Sequence, residues 1–313
     1  MTFQPISRRE VIKTAVAGVV LSRPLSAMAQ GESTLPAVMK AIPSTGEKLP
    51  VIGLGTNAYG AKNDEEKKPL REVLEQMSQL GGKLIDTAQA YGLSEQTIGE
   101  LLRSLGNRDK YFVATKTQIK GDYSNPQAIV DLSFKALRME KIDLLQIHSL
   151  GGLQELMPLL EKSKASGRIR YIGMSTSADD QYDKFMDAMR KYPFDLIQVD
   201  YSIENQNAER VLDLALERRQ GVIINVPFGG RKQAATTFQK VADRQLPDWA
   251  AEFDAKSWAQ FFLKYVISHP AVTVAIPGTT KLKHLQDNQG AGRGRLPDAA
   301  MRKKMEQYWA TLG

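Results

Sequence analysis

Four residues able to take part in proton transfer stand where apolar runs of this chain give out. In LIDTAQAYG, Asp86 closes a buried-prone run and Tyr91 follows five residues later, in what reads as a loop. Lys116 closes FVATK, and His148 closes DLLQIH. A phenol titrates near ~10 unless a neighbour perturbs it, so moving its proton at neutral pH calls for a cation or carboxylate network beside it. An ammonium near a phenol oxygen favours phenolate. A carboxylate in turn holds that ammonium in place, because an unpaired buried charge is costly. Histidine can donate a hydrogen bond to a carbonyl oxygen and orient it. None of the four makes a good covalent nucleophile. The set suits protonation of an alkoxide as hydride reaches carbon, which implies a separate hydride donor.

The elements that must position these residues are legible from Val51 onward as short β-branched runs alternating with amphipathic stretches. Strands are expected at Val51–Leu54, Lys83–Asp86, Tyr111–Lys116, Asp143–His148, Ile169–Ser175, Asp195–Val199, Gly221–Val226 and Val272–Ile276. Helices are expected at Glu65–Leu80, Ser94–Leu105, Pro126–Met139, Leu153–Ser166, Ala178–Lys191, Ala208–Arg219 and Asp254–Ser268, with another from near Lys281. Asn125-Pro126 offers a capping side chain followed by proline at the first helical position. Gly167 and Gly221 follow helical runs, as glycine does at helix ends. Near-continuous apolar strands separated by helices argue for a parallel sheet covered on its outside. Eight such strands close an α/β TIM barrel, a (β/α)8 fold, and strand-end residues then converge on one mouth. An open doubly wound sheet would carry a Gly-x-Gly-x-x-Gly turn after its first strand, and IGLGTNAYG has none. Val38–Pro50, with Ser44-Thr45-Gly46 between two short runs, reads as a β-hairpin plugging the barrel floor. Gly229–Phe253 is long for a connection and reads as a functional loop over the mouth. Met301–Trp309 forms an extra C-terminal helix.

The first 29 residues stand apart. They order Ser7-Arg8-Arg9, an apolar run from Thr14 to Leu21, and Ala27-Met28-Ala29. That run is far shorter than the ~20 residues that span a bilayer, and the order of pieces matches a cleaved twin-arginine signal. Cleavage after Ala29 would leave residues 30–313 as a single barrel domain without a transmembrane segment. The chain would then meet the twin-arginine export machinery and reside in the periplasm or outside the cell. The signal carries four basic residues and one acid, so +3 of the total +7 leaves with it. A mature charge of about +4 is too mild to argue for nucleic acid. With no cysteine, disulfides, zinc-thiolate sites and a thiol nucleophile are excluded, and the three histidines do not fall at metal-ligand spacing. No metal is expected.

From Val38 to Ala291 the chain resembles the aldo-keto reductases. GGKLIDTAQAYGLSEQTIGELL is the most specific piece, and VATK, DLLQIHS, IRYIGMSTS, LIQVDYS and AIPGTTKLKHLQDN follow in that family's order. The resemblance implies a (β/α)8 barrel that reduces an aldehyde or ketone with NADPH, the catalytic set being Asp86, Tyr91 as general acid, Lys116 and His148. It further implies that Ser175 and Gln198 bind the nicotinamide carboxamide, with Thr176 where the family usually has asparagine. Asn225 falls where a stacking tyrosine is common, and an amide cannot replace an aromatic face. Phe228 and Gly229 would lie near the pyrophosphate, and Asp287 and Asn288 would meet the adenine. His284 stands in place of the usual arginine for the 2′-phosphate, with Thr279, Lys281 and Lys283 near enough to substitute; a neutral histidine lacks arginine's bidentate grip. Asn57, Tyr59 and Trp249 are the candidate substrate contacts. The changes at Thr176 and Asn225 also fit a second reading, a barrel that binds nucleotide with little turnover and acts as a redox sensor or partner subunit.

Overall fold

The computed structural model describes residues 35–312, so the expected export signal lies outside the described residues. The chain enters through a hairpin, β1 (Met39–Ala41) and β2 (Lys48–Pro50), paired antiparallel. Eight parallel strands follow, in spatial order the same as sequence order: β3 (Leu54–Gly55), β4 (Leu84–Asp86), β5 (Phe112–Lys116), β6 (Ile142–His148), β7 (Ile169–Ser175), β8 (Leu196–Asp200), β9 (Gly221–Asn225) and β10 (Val272–Ala275). Parallel bridges Ile52–Ala275 and Gly55–Gly278 join first strand to last. The seam is tight at Gly55, where a Cβ would stand 2.8 Å from the Ile276 carbonyl oxygen. Only glycine lets the two backbones approach so closely.

The helices are α1 (Asp64–Gln79), α2 (Ser94–Leu105), α3 (Pro126–Leu137), α4 (Leu153–Ala165), α5 (Tyr182–Lys191), α6 (Glu209–Arg218), α7 (Arg231–Lys240), α8 (Trp258–Ile267), α9 (Leu282–Ala291) and α10 (Ala299–Ala310). The expected cap at α3 is present, the Asn125 side chain accepting from the Ala128 N–H at 3.1 Å. Other boundaries differ for local reasons. At the end of α6 the left-handed residue is Arg219, φ 55°, while Gly221 already belongs to β9. The α5 region opens with a 3₁₀ turn at Asp179–Gln181. Ser257 caps α8 by accepting from the Gln260 N–H, so that helix starts later than expected. The Gly229–Phe253 connection is not bare loop, since it holds α7 and a 3₁₀ turn at Asp248–Phe253.

Two apolar cores result. One lies between strands and helices; the other fills the barrel, where Leu84, Phe112, Leu144 and Ile223 meet Ile42 and Leu49 of the hairpin region. Fully burying each of those two hairpin side chains is worth roughly 1.5–3 kcal/mol. Polar clamps fix the plug. Lys40 Nζ donates to the carbonyls of Ile267, His269 and Val272 at 2.7–2.8 Å, and Tyr171 donates to Glu47 at 2.7 Å. With the floor sealed, the open end is the one where the strands terminate.

Candidate active site

Register decides what meets at that end. Asp86 pairs with Gly55 and Ala114, Lys116 with Gln146, and Ser175 with both His148 and Gln198. Asp86 and Lys116 are almost wholly buried and joined at 2.6 Å. Lys116 Nζ also donates to the Thr87 carbonyl at 2.9 Å and to the Tyr91 hydroxyl at 3.4 Å. Tyr91 is held in a turn: its N–H donates to the Ala88 carbonyl, and its own carbonyl accepts from Ser94 N–H. The His148 ring stands edge-on to Tyr91, with centroids 6.2 Å apart. All four expected residues therefore converge. Burial pushes the Asp86 carboxyl up, opposed chiefly by the Lys116 ammonium. Lys116 is pulled down by burial, but the charges of Asp86 and Tyr91 outweigh this and raise it. Burial, then the Lys116 charge, lowers His148 to about 4. At neutral pH its imidazole is thus uncharged and can hydrogen-bond without adding a second cation.

A cavity of about 400 Å³ opens over Tyr91 and Asp86, within the usual range for small-molecule sites. Asn57, Ser177, Asn225 and the stretch Val226–Gly230 complete most of its wall. Val226 has φ 47°, a left-handed backbone that a β-branched side chain rarely adopts, and strain of this kind gathers at functional sites. A second cavity of about 240 Å³ shares Asn57 and Gly278 with the first and continues along Thr279, Thr280, Lys281 and His284. The two form a trough running from the proton-handling residues to a basic end.

The sequence model of the Aldo/keto reductase family matches residues 51–307. The chain belongs to that family. The NADP(+)-designated aldo-keto reductase yakc of Schizosaccharomyces pombe is 25% identical over 310 residues, covering 83% of this chain and 88% of that protein. Aldo-keto reductase YhdN of Bacillus subtilis is 32% identical over 198 residues, 57% of this chain and 58% of YhdN. Among solved structures, an aldo-keto reductase from Klebsiella pneumoniae in complex with NADPH superposes with a TM-score of 0.71 at 23% identity, covering 88% of this chain and 96% of that one.

In this aldo/keto reductase the atoms expected to hold nicotinamide are polar, buried and unpartnered. Ser175 Oγ and Gln198 Nε2 make no hydrogen bond within the chain. Buried polar atoms normally find a partner, and a hydroxyl beside an amide N–H on neighbouring strands fits a carboxamide. Thr176 differs: its hydroxyl donates to Gln181 Oε1 at 2.7 Å and accepts from the Ala178 N–H. Asn225 reaches across the mouth, its Nδ2 donating to Ser177 Oγ at 2.9 Å. Phe228 and Gly229 line the first cavity; Thr279 and Lys281 line the second. Burial and the charges of Lys283 and Lys281 lower the His284 pKa, so the basic end is carried by the two lysines. Asp287 engages Ser257 and Gln260, tying α9 to α8, and Asn288 is buried.

The substrate candidates separate. Asn57 lines both cavities. Tyr59 is fully buried beneath, donating to the Thr279 carbonyl at 2.9 Å. Trp249 lines neither cavity. It packs against Phe253, Phe261 and Tyr308, because α10 folds back over this region. It belongs to an aromatic wall that starts at Phe228 and runs through Phe238 and Phe262 to Trp258 and Trp309, rings 5.2–5.7 Å apart. Ser177 and Val226 were not singled out from sequence. Gln146, the one amide of its own strand, lies two residues before His148 and hence on the same face, but no motif marks it. Among the described residues no three or more metal-ligating side chains come together, and no helix is long and apolar enough to cross a membrane.

Proposed function

We propose that this chain is an NADP(H)-dependent oxidoreductase that reduces an aldehyde or ketone to an alcohol, with Tyr91 as general acid. The single observation that carries the reading is Lys116 Nζ standing between Asp86, at 2.6 Å, and the Tyr91 hydroxyl, at 3.4 Å. Bound NADPH would supply the hydride. Tyr91 gives its proton to the carbonyl oxygen as negative charge develops there. Lys116 stabilises the phenolate left behind, and Asp86 keeps the ammonium charged and in place. Neutral His148 orients the carbonyl by a hydrogen bond. Ser175 and Gln198 would hold the carboxamide, Phe228 and Gly229 the pyrophosphate side, and Lys281 with Lys283 the 2′-phosphate. In the test, Tyr91→Phe lowers aldehyde-dependent NADPH oxidation by ~10²–10⁴-fold while NADPH still binds. A variant that retains the rate refutes the role given to Tyr91.

A second reading, a nucleotide-binding barrel with little turnover, draws support from Asn225 and from Thr176 being tied to Gln181. Single-turnover decay of bound NADPH with a reactive dicarbonyl separates the two, since a binding module gives no decay. We further propose that residues 1–29 direct export of the folded chain by the twin-arginine route to the periplasm, with cofactor already bound. Protein sequencing of the exported form should begin at Gln30; Met1 or Thr2 there would refute cleavage. Exported protein free of nucleotide would refute loading before export.

A further inference from the structure

Gln146 is fully buried on β6, and its single amide nitrogen serves two acceptors: Gln198 Oε1 at 2.9 Å and Asp86 Oδ1 at 3.4 Å. The polarity of this chain of groups follows from one end. A carboxylate held by an ammonium can only accept, so Gln146 must turn its NH₂ toward Asp86. The remaining N–H of that NH₂ then points at Gln198, which must answer with its oxygen. What Gln198 has left is Nε2, buried and without a partner in the chain. Space for the crossing comes from Gly173, opposite Gln146 in the β6–β7 register. A Cβ at Gly173 would stand 2.9 Å from Gln146 Cγ and 2.8 Å from the Leu196 carbonyl oxygen.

We propose that Gln146 is a positioning residue that sets the orientation of the Gln198 amide, so that the site offers an N–H donor to the carboxamide oxygen of the nicotinamide. The proton-handling carboxylate and the grip on the cofactor are thereby one connected network. This rests on the NADP(H) reading above.

A double-mutant cycle on the full chain tests it, with NADPH as the probe. Gln146→Met keeps the volume and removes the donor; Gln146→Leu is the second variant, should the first fail to fold. One neutral hydrogen bond governs the orientation, so either variant should weaken NADPH binding about fivefold to tenfold, with the larger share of the loss in KM for NADPH rather than in kcat. Because Gln146 acts through Gln198, Gln198→Leu combined with Gln146→Met should bind no more than about twofold more weakly than Gln198→Leu alone. Losses that multiply, or an unaltered NADPH affinity in the Gln146 variants, overturn the assignment while leaving carbonyl reduction standing. Wild-type protein that fails to bind NADPH at all overturns both.

Discussion

Replacing Lys116 by methionine separates what the buried ion pair does for the fold from what it does for chemistry. Asp86 and Lys116 have side chains 2% and 1% exposed and touch at 2.6 Å. Removing one member leaves a lone charge in the barrel, a loss of about 3–5 kcal/mol, whereas replacing both by apolar residues of similar volume is often neutral or stabilising by about 1–4 kcal/mol. Lys116→Met and Asp86→Leu are therefore each expected to lose ~3–5 kcal/mol, and the double variant to stand near wild type. The pH dependence carries the sign. Without Lys116, burial is the dominant influence left on Asp86, outweighing the hydrogen bond from Gln146, and holds its folded pKa above the unfolded ~3.9. The folded state of Lys116→Met then binds the extra proton, so the Asp86 contribution to stability is greatest in acid. It falls as pH rises through that folded pKa, by at most ~1.4 kcal/mol per pH unit. Urea unfolding followed by far-ultraviolet circular dichroism at several pH values measures both effects. The reasoning is refuted if Lys116→Met loses under ~1 kcal/mol, if its loss is independent of pH, or if the double variant loses the sum of the singles. Every one of the three variants should be inactive in carbonyl reduction, including the one that is stable.

Other outcomes follow from the same geometry. His148 is held to about 4 against an unfolded 6.5, so its contribution to stability is full above pH ~6.5 and is lost as pH falls toward 4. This amounts to on the order of 3 kcal/mol; His148→Gln should remove that slope from an acid unfolding series. Val226→Gly relieves the left-handed strain and is expected to raise stability by ~1 kcal/mol in thermal unfolding, net of the entropy glycine adds to the unfolded chain. Lys281→Gln should weaken NADPH binding about tenfold to a hundredfold, in line with a charge-assisted contact. NADH affinity should be unchanged in the same fluorescence titration.

The strand ends were readable because a parallel barrel strand is an apolar run with a polar stop, and Asp86, Lys116 and His148 are such stops. Helix α2 matches its expected span, Ser94–Leu105, and β7 matches Ile169–Ser175, since clear apolar runs with distinct ends mark both. Elsewhere local sequence says less. β3 shrinks to Leu54–Gly55 because the seam it closes is held by isolated bridges. The α7 segment, RKQAATTFQK, carries too weak an apolar stripe to announce a helix. Trp249 in a long loop reads alike as ligand contact or as packing, and only the return of α10 with Tyr308 places it. Gln146 hides inside an apolar strand, and its significance appears only when β4 and β8 are brought beside it.

The aromatic wall behind Phe228 has an optical consequence. All three tryptophans of the chain, Trp249, Trp258 and Trp309, belong to it, and its other end borders the trough. Indole emission overlaps the absorption of a dihydronicotinamide but not of its oxidised form. Excitation absorbed anywhere along the wall can therefore drain to a reduced cofactor lying in the trough and return as emission once that cofactor is oxidised. Site occupancy and redox state become visible in the protein's own fluorescence, with no label attached.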